Sequence, residues 1–190
     1  KKVDFVYLPK FNDIYEDNKK SKITINKKDK ILCAKIRKGH FEGVLDVMNR
    51  LTKIINPDKI FMGEKDFQQL YLVKNFLKKK YKTKVISCRT IRGKNKIALS
   101  SRNFLLNSSN LNLAGKIYKK LKNIKKKINN KNDISDYLTY SKKKLEMSLK
   151  IKIDYLELRN IKNLKISKTK NNSRLFIAYY LNNVRLIDNL

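Results

Sequence analysis

Apolar residues recur at helical spacing in several stretches of the chain. After Gly43 they follow one another at intervals of three and four positions until Asn56-Pro57 ends the pattern, as expected for an amphipathic helix with one buried face. A second helix is predicted from Phe67 to about Lys80. The same periodicity predicts helices from Ser109 to Ile128 and from Ile134 to Leu149.

Short runs rich in β-branched and aromatic residues lie between these helices and predict strands. The predicted strands are Val3–Leu8, Ile60–Met62, Val85–Cys88, Ile151–Leu158, Leu175–Leu181 and Val184–Ile187. We expect Ile60–Met62 to be buried. Polar residues predict a turn at Asn129–Asp133 and an exposed hairpin loop at Lys168–Ser173.

The order of these elements changes near residue 90. Strands alternate with helices before it, which is typical of an α/β domain with a parallel sheet and crossover helices. Two helices followed by three strands come after it and predict a small α+β unit. We therefore expect one domain in residues 1–90 and a second in residues 91–190, with the boundary near Cys88 to Arg92.

Composition narrows the class of protein. The chain has 190 residues, 41% of them hydrophobic, and lacks the ~20 consecutive apolar residues of a membrane span. We expect a soluble, cytoplasmic protein.

Cys33 and Cys88 are far apart and His40 is the only histidine, so no zinc site is predicted. Two free thiols in a reducing compartment are the simplest interpretation.

The net charge of +31 raises the question of nucleic-acid binding. Lysines number 39 and arginines only 8, and the lysines are spread along the whole chain. Surfaces that read bases or clamp phosphates favour arginine for its planar donor fork. A basic nucleic-acid-binding module remains an alternative, but we expect only non-specific attraction to polyanions at low salt.

The stretch FMGEKDFQQL, residues 61–70, has the order in which α/β proteins receive phosphates. Gly63 would allow a tight turn and close approach of a ligand to the backbone. Asp66 is a natural N-cap for the helix that follows. The positive end of that helix, together with Lys65, favours an anion. A solvated turn with an ordinary cap is the alternative.

A second stretch, Ala98 to Asn103, holds two hydroxyls, a guanidinium and an amide in its last four residues. These groups offer many donors to phosphate oxygens. They fit a helix-capping turn equally well, but their position at the predicted domain junction favours a cleft. Elsewhere, His40 is either a general base or a structural residue, and Gln68 and Gln69 either orient a polar substrate or are solvated.

Five segments together resemble one known family. GHFEGV, NPDKIFMGEKDFQQL, ALSSRN, IDYLELRN and the closing RLIDN are similar, in this order, to segments of the pantothenate synthetases (pantoate–β-alanine ligases). The resemblance runs from residue 2 to residue 190. It implies a nucleotidyltransferase related to the class I aminoacyl-tRNA synthetases, with a partial Rossmann-like domain in residues 1–90 and a small lid domain in residues 91–190 that closes over ATP.

The resemblance also implies a reaction and its residues. ATP and pantoate would form a pantoyl adenylate and pyrophosphate, and β-alanine would then release AMP and give pantothenate. Mg²⁺ is expected with ATP, and a homodimer for the complete protein. The implied catalytic residues are Lys65, Ser100, Ser101 and Arg102. The implied ATP-binding residues are Gly63, Glu64, Lys65, Asp66, Ile91, Leu99, Ser100, Ser101 and Arg102. Gln69 would bind pantoate, and no protein residue is expected to form a metal site.

The chain departs from the family at several positions. The family's histidine-containing nucleotide motif and its following substrate-binding segment would lie before Lys1, so we expect this chain to be inactive by itself. Lys38 stands where proline is usual, Cys33-Ala34 replaces an acidic residue and glycine, and Asn95-Lys96 replaces Asp-Gly. A related nucleotidyltransferase with another acid substrate remains a second alternative.

Overall fold

The computed structural model describes residues 3–15, 22–128 and 133–190. Its contacts divide the chain into two compact units, one formed by residues 1–62 and 69–87 and the other by residues 63–68 and 88–190. The segment 63–68 therefore groups with the C-terminal residues, although it lies early in the sequence. The division into domains at residue 90 stays a prediction.

The first unit consists of short helices and one small sheet. Its helices and strands are α1 (Phe11–Ile14), α2 (Leu32–Ile36), α3 (His40–Ile55), β1 (Lys59–Gly63), α4 (Phe67–Leu77) and β2 (Lys84–Cys88), the last residues of β1 and β2 and the first of α4 belonging to the second unit. β1 and β2 form a two-stranded parallel sheet, and α4 connects them. Val73 and Leu77 of α4 are fully buried.

Helix α3 confirms the helix expected after Gly43, but it begins three residues earlier, at His40. Gly39 precedes it with a φ of 76°, a left-handed conformation that glycine adopts without strain. At the other end Asn56 is also left-handed, with a φ of 47°, and Pro57 follows. Both ends of α3 are therefore set by residues next to them in the sequence, glycine before the helix and Asn-Pro after it.

Two expectations for the first unit are wrong. Val3–Leu8 is not a strand, and Phe5 and Leu8 are 92% and 85% exposed. Strand propensity is realised only where a partner strand or a packed face is present, and no described strand pairs with this run. Ile60–Met62 does lie in β1, but it is not a buried strand, because Phe61 is 66% exposed.

The second unit is an α+β sandwich of two helices on one antiparallel sheet. Its main elements are α5 (Ser108–Lys127), α6 (Ile134–Leu149), β3 (Lys152–Asn160), β4 (Ser173–Leu181) and β5 (Val184–Asn189). The strand order is β3-β4-β5, with all neighbours antiparallel. These elements confirm the two helices and three strands expected from the sequence, and with the parallel sheet of the first unit they confirm the α/β fold class.

The helices of this unit bury their apolar stripes on the sheet. Ile117 and Leu121 of α5 pack with Leu175 and Ile177 of β4 in one hydrophobic cluster, each at most 1% exposed. The Asn107 side chain accepts a hydrogen bond from the Asn110 amide and caps α5. Asp133 caps α6 in the same way; the rest of the turn predicted at Asn129–Asp133 lies outside the described residues.

Strand β5 is the edge strand that carries the site described below. Leu175 and Leu190 exchange both of their backbone hydrogen bonds, at 3.0 and 3.1 Å. Because bonded and non-bonded pairs alternate along an antiparallel ladder, the backbone groups of Arg185 and Asn189 point away from β4. The outer edge of β5 is therefore open to other segments.

None of the helices in the described part of the chain has both the length and the apolar character needed to cross a bilayer. The longest is α5, with 20 residues, and lysines recur along it from Lys116 onward.

Candidate active site

The first candidate segment, Gly63 to Asp66, is a tight turn between β1 and α4. Residues Glu64 to Asp66 form a 3₁₀ turn that runs directly into α4, so Asp66 is already helical and is not the N-cap expected from the sequence. Gly63 has a φ of −71°, which any residue adopts, so the turn does not require glycine. A Cβ at Gly63 would meet no atom within 4 Å, which leaves open space beside the backbone.

Side chains of the C-terminal sheet hold this turn in place. The Asn189 amide donates from Nδ2 to the carbonyl oxygens of Glu64 and Lys65, at 2.8 and 2.9 Å. The Arg174 guanidinium donates from Nη2 to Glu64 Oε2 at 2.7 Å and from Nη1 to Asn189 Oδ1 at 2.8 Å. Arg174 also lies over the ring of Phe67, 4.7 Å from its centroid.

The Lys65 ammonium lies 3.6 Å from the Asp66 carboxylate, and the Lys65 side chain is 19% exposed. This distance is that of a loose ion pair, without the short contact of a charge-assisted hydrogen bond. Lys65 is therefore a cation at the end of β1 whose backbone is held in place and whose ammonium is only loosely paired.

A small hairpin leads into the second candidate segment and brings Ile91 and Leu99 side by side. The Leu99 amide donates to the Ile91 carbonyl at 2.9 Å, and the Gly93 amide donates to Ile97 in the same way. Ile91 and Leu99 are 67% and 53% exposed. Two adjacent, exposed aliphatic side chains form a surface against which a flat apolar group can pack.

The turn of this hairpin retains its shape despite the unusual Asn95-Lys96. Lys96 has a left-handed φ of 70°, a conformation in which a non-glycine residue is strained. Asn95 stabilises the turn by donating to the Leu111 carbonyl at 3.1 Å and accepting from the Ile97 amide at 3.2 Å. The Asn95 carbonyl packs so closely on α5 that a Cβ at Gly115 would lie 2.5 Å from it. Asn95-Lys96 therefore forms a closed turn, with backbone strain at Lys96.

After the hairpin, Ser100 caps a 3₁₀ helix that spans Ser101–Leu105. Ser100 Oγ accepts a hydrogen bond from the Arg102 amide at 3.3 Å, so the capping alternative raised for this stretch describes Ser100 correctly. Ser101 and Arg102 are exposed. The Arg102 guanidinium donates from Nη1 to the Arg185 carbonyl at 2.7 Å, and no other contact of its donors is found in the described residues.

Both candidate segments are attached to β5. Arg102 binds the backbone at Arg185, and Asn189 binds the backbone at Lys65. Asn189 lies four positions after Arg185, about 13 Å along an extended strand. The two segments therefore contact opposite ends of one short strand.

A buried ion pair stabilises the C-terminal end of β5. Arg92 donates from Nη1 and Nη2 to the two carboxylate oxygens of Asp188, at 2.7 and 2.8 Å, and Asp188 in turn accepts from the Asn189 amide. Arg92 also stacks on the ring of Tyr118, 4.2 Å from its centroid. Burial and the charge of Asp188 raise the pKa of the nearby Tyr179 hydroxyl.

A cavity of about 480 Å³ adjoins this network, and Glu64, Arg92, Arg174 and Asn189 are among its lining residues. Lys125 of α5 also lines it. Burial, and after it the positive charges of Arg174 and Lys170, lower the pKa of Lys125. The cavity wall therefore carries the cationic side chains of Arg92, Lys125 and Arg174 beside the carboxylate of Glu64.

None of the four residues that build this network was predicted to be a site residue from the sequence. Arg92, Arg174, Asp188 and Asn189 come from three segments, and only RLIDN drew attention, as part of the resemblance. One signal was present: Asp188 and Asn189 are polar residues at consecutive positions of a strand, so both faces of its end carry a polar group.

The remaining predicted site residues lie in the first unit or at its margin. Gln69 is half-buried on α4, and its neighbour Gln68 is buried, so Gln68 is not the solvated residue that one alternative described. His40 is the first residue of α3, with its ring 5.0 Å from that of Phe41. In residues 3–15, 22–128 and 133–190, no cluster of three or more histidine, cysteine or acidic side chains could hold a metal ion.

Comparison with known proteins identifies the relatives of this chain. A family model described as Pantoate-beta-alanine ligase matches residues 1–190. The pantothenate synthetase of Flavobacterium psychrophilum is 35% identical over 192 residues, which cover 97% of this chain and 67% of that protein.

Two solved structures extend the comparison. Pantothenate synthetase from Thermus thermophilus has a TM-score of 0.89 at 26% identity, over 99% of this chain and 69% of its own. The Francisella tularensis pantoate-β-alanine ligase, complexed with β-γ ATP and β-alanine, has a TM-score of 0.73 at 35% identity, over 94% of this chain and 61% of its own. The chain spans about two thirds of the length of these relatives and belongs to the pantothenate synthetase (pantoate-β-alanine ligase) family.

Proposed function

We propose that this protein is an ATP-dependent ligase that condenses pantoate with β-alanine through a pantoyl adenylate. The observation that chiefly supports the proposal is the attachment of both candidate ATP-binding segments to one strand. Arg102 binds β5 at Arg185, and the Lys65 turn is held at Asn189. A nucleotide lying beside β5 would have a cationic partner near each end of this strand.

In the proposed first step, a pantoate carboxylate oxygen bonds to the α-phosphorus of ATP while the bond to pyrophosphate breaks. Negative charge builds on the phosphoryl oxygens and on the leaving group, and fixed donors stabilise it best where water is excluded. Lys65, Ser101 and Arg102 would supply these donors. Ile91 and Leu99 would pack against the adenine, and the open space at Gly63 would admit a phosphate close to the backbone.

In the proposed second step, the β-alanine amine attacks the acyl carbon of the adenylate. The new C–N bond forms, the bond from the acyl carbon to the AMP oxygen breaks, and the amine loses a proton. Lys65 and Arg102 would stabilise the departing AMP phosphate as they did the pyrophosphate. Gln69 is the proposed hydrogen-bonding partner of pantoate. Mg²⁺ would neutralise phosphate charge and would be held mainly by the phosphates themselves, as is usual for this ion.

The test is an assay of AMP and pantothenate formation from ATP, pantoate and β-alanine. We would measure the chain alone and the chain preceded by the corresponding N-terminal third of the Flavobacterium psychrophilum relative. We expect no activity from the first and activity from the second. In the active form, Lys65→Ala should lower the rate about 10²-fold, as loss of one charge-stabilising donor typically does.

The control is Lys116→Ala, which removes an exposed lysine of α5 and should leave the rate unchanged. An unchanged rate in Lys65→Ala would show that Lys65 is not a catalytic residue. Formation of adenylate with another acid in preference to pantoate would replace the proposed substrate and keep the ATP chemistry. The dimeric state and the cytoplasmic location stay predictions.

A further inference from the structure

The Asn189 side chain makes contacts that a merely space-filling residue would not need. It is 4% exposed, and Nδ2 donates to two successive carbonyl oxygens, those of Glu64 and Lys65. Its Oδ1 accepts from Arg174. The side-chain amide therefore uses its hydrogen-bonding groups to define the backbone path on either side of the Lys65 Cα.

The backbone of Asn189 is fixed just as firmly. Its amide donates to Asp188 Oδ1 at 2.7 Å, and its carbonyl accepts from Arg92 Nη2 at 3.3 Å. Arg92 is itself locked by two hydrogen bonds to Asp188. A side chain whose own backbone is held this tightly can position another segment with little freedom of movement.

Asn189 is the residue of the C-terminal sheet that holds the backbone of the Lys65 turn. Among the described residues, the hydrogen bonds from β4 and β5 to the backbone of the turn come from Asn189 Nδ2, while Arg174 reaches the Glu64 side chain. Without such a side chain, the end of an edge strand would offer the turn only backbone groups. Asn189 therefore makes β5 a support for one specific turn.

We propose that Asn189 is a positioning residue that holds the Lys65 backbone, and through it the Lys65 ammonium, at the phosphates of bound ATP. This inference rests on the proposed function. It predicts that Asn189 affects recognition of the triphosphate far more than recognition of the adenosine moiety, because Ile91 and Leu99 are not among its contacts.

The informative variant is Asn189→Asp, which keeps the size of the side chain and the oxygen that accepts from Arg174. It replaces both Nδ2 hydrogen bonds by an oxygen facing two carbonyl oxygens. We would measure the dissociation constants of ATP and AMP for the unaltered protein, Asn189→Asp, Lys65→Ala and the double variant. Asn183→Asp is the matched control, since Asn183 is an exposed asparagine in the turn between β4 and β5.

We expect the preference for ATP over AMP to fall about tenfold in Asn189→Asp, as the loss of hydrogen bonds worth about one order of magnitude implies. The double variant should be no weaker than Lys65→Ala, because coupled residues are not additive. Asn183→Asp should behave like the unaltered protein. Additive losses, or an equal loss for ATP and AMP, would mean that Asn189 is merely structural and would overturn the inference.

Hydrogen exchange gives a second readout that does not require a nucleotide. Amides of residues 63–67 should exchange faster in Asn189→Asp while those of residues 100–105 do not change. Unchanged exchange in the turn would also overturn the inference. If Asn189→Asp does not fold, Asn189→Ser removes the same donors without adding a charge. An unaltered protein that fails to prefer ATP over AMP, or that is insensitive to Lys65→Ala, overturns the proposed function and this inference with it.

Discussion

The two candidate ATP-binding segments differ in how the second unit holds them. The Glu64–Lys65 turn accepts hydrogen bonds from the buried side chain of Asn189 and an ion pair from Arg174. The segment Leu99 to Arg102 is mostly exposed and is attached to β5 by one hydrogen bond from Arg102. One segment is thus preorganised, while the other has the sparse contacts of a locally unstable region.

This difference suggests a division of roles in binding. A preorganised cation loses little freedom when a phosphate arrives, so it contributes directly to charge stabilisation. An exposed arginine on a loosely attached turn loses more freedom but can follow the ligand. Under the proposed function, Lys65 would fix where the phosphates lie and Arg102 would adjust to them.

The largest effect on the difference between the two segments is expected from removing the Arg92–Asp188 ion pair, which holds the backbone of Asn189. Asp188→Ala leaves the Arg92 guanidinium buried without its carboxylate and removes the acceptor of the Asn189 amide. Loss of one partner of a buried pair typically costs about 3–5 kcal/mol. We expect a loss of this size in the free energy of unfolding of the second unit, measured by urea denaturation.

Asp136→Ala serves as the control, because Asp136 is exposed in the first turn of α6 and should cost less than about 1 kcal/mol. In hydrogen exchange, Asp188→Ala should loosen residues 63–67 and leave residues 100–105 as they were. Equal loosening of both segments would contradict the difference in support described above.

A variant at the second segment sharpens the comparison. Arg102→Ala removes one exposed hydrogen bond to Arg185, so the free energy of unfolding should change by no more than about 0.5 kcal/mol. ATP affinity should nevertheless fall about tenfold or more, since hydrogen bonds to charged groups are worth about 1.5–3 kcal/mol. Arg89→Ala, at another exposed arginine, should change neither quantity. A stability loss as large as that of Asp188→Ala would mean that the second segment is not loosely held.

The smallest expected effect is that of removing the charge of Lys125, which the Arg174 guanidinium of the Arg174–Glu64 pair repels. The pKa of Lys125 is lowered by burial and by Arg174 and Lys170, so its folded-state pKa lies below its unfolded value. Protonated Lys125 therefore destabilises the fold at neutral pH, and this penalty disappears as the pH rises through the folded pKa towards the unfolded value of 10.5.

Lys125→Gln should accordingly raise the Tm slightly at pH 7, and the gain should shrink at high salt and at alkaline pH. Lys122→Gln, at an exposed position of the same helix, provides the control for helix propensity. A lower Tm for Lys125→Gln, or a gain that grows with pH, would mean that Lys125 stabilises the fold through contacts other than its charge.

The sequence predicted the second unit well because its elements are encoded locally. Helix α6 has the predicted bounds, and α5 begins one residue earlier and ends one residue earlier than expected. Their apolar stripes and capping residues are visible within a few positions. The predicted strand Val3–Leu8 failed because a strand depends on a partner elsewhere, which no local pattern reveals.

The candidate site was predictable only in part for the same reason. Lys65 and Arg102 stand in recognisable short segments, so residue type and the family resemblance suggest them as candidates. The residues that hold those segments in place do not stand in such recognisable segments. Asn189 lies 125 positions from Glu64 and 124 from Lys65, and a separation of this size leaves no periodicity to detect. Gly63 and Asp66 drew attention for a tight turn and a helix cap, roles that the actual backbone does not require of them.

The long separation between Glu64 and Asn189 has a consequence for synthesis on the ribosome. A nascent chain grows from its N-terminus at about 5–20 residues per second, and the Lys65 turn is made long before β5 exists. Closing this loop must wait until residue 189 has emerged. A prematurely terminated polypeptide would contain every lysine and serine of the two segments yet lack the asparagine that orders them.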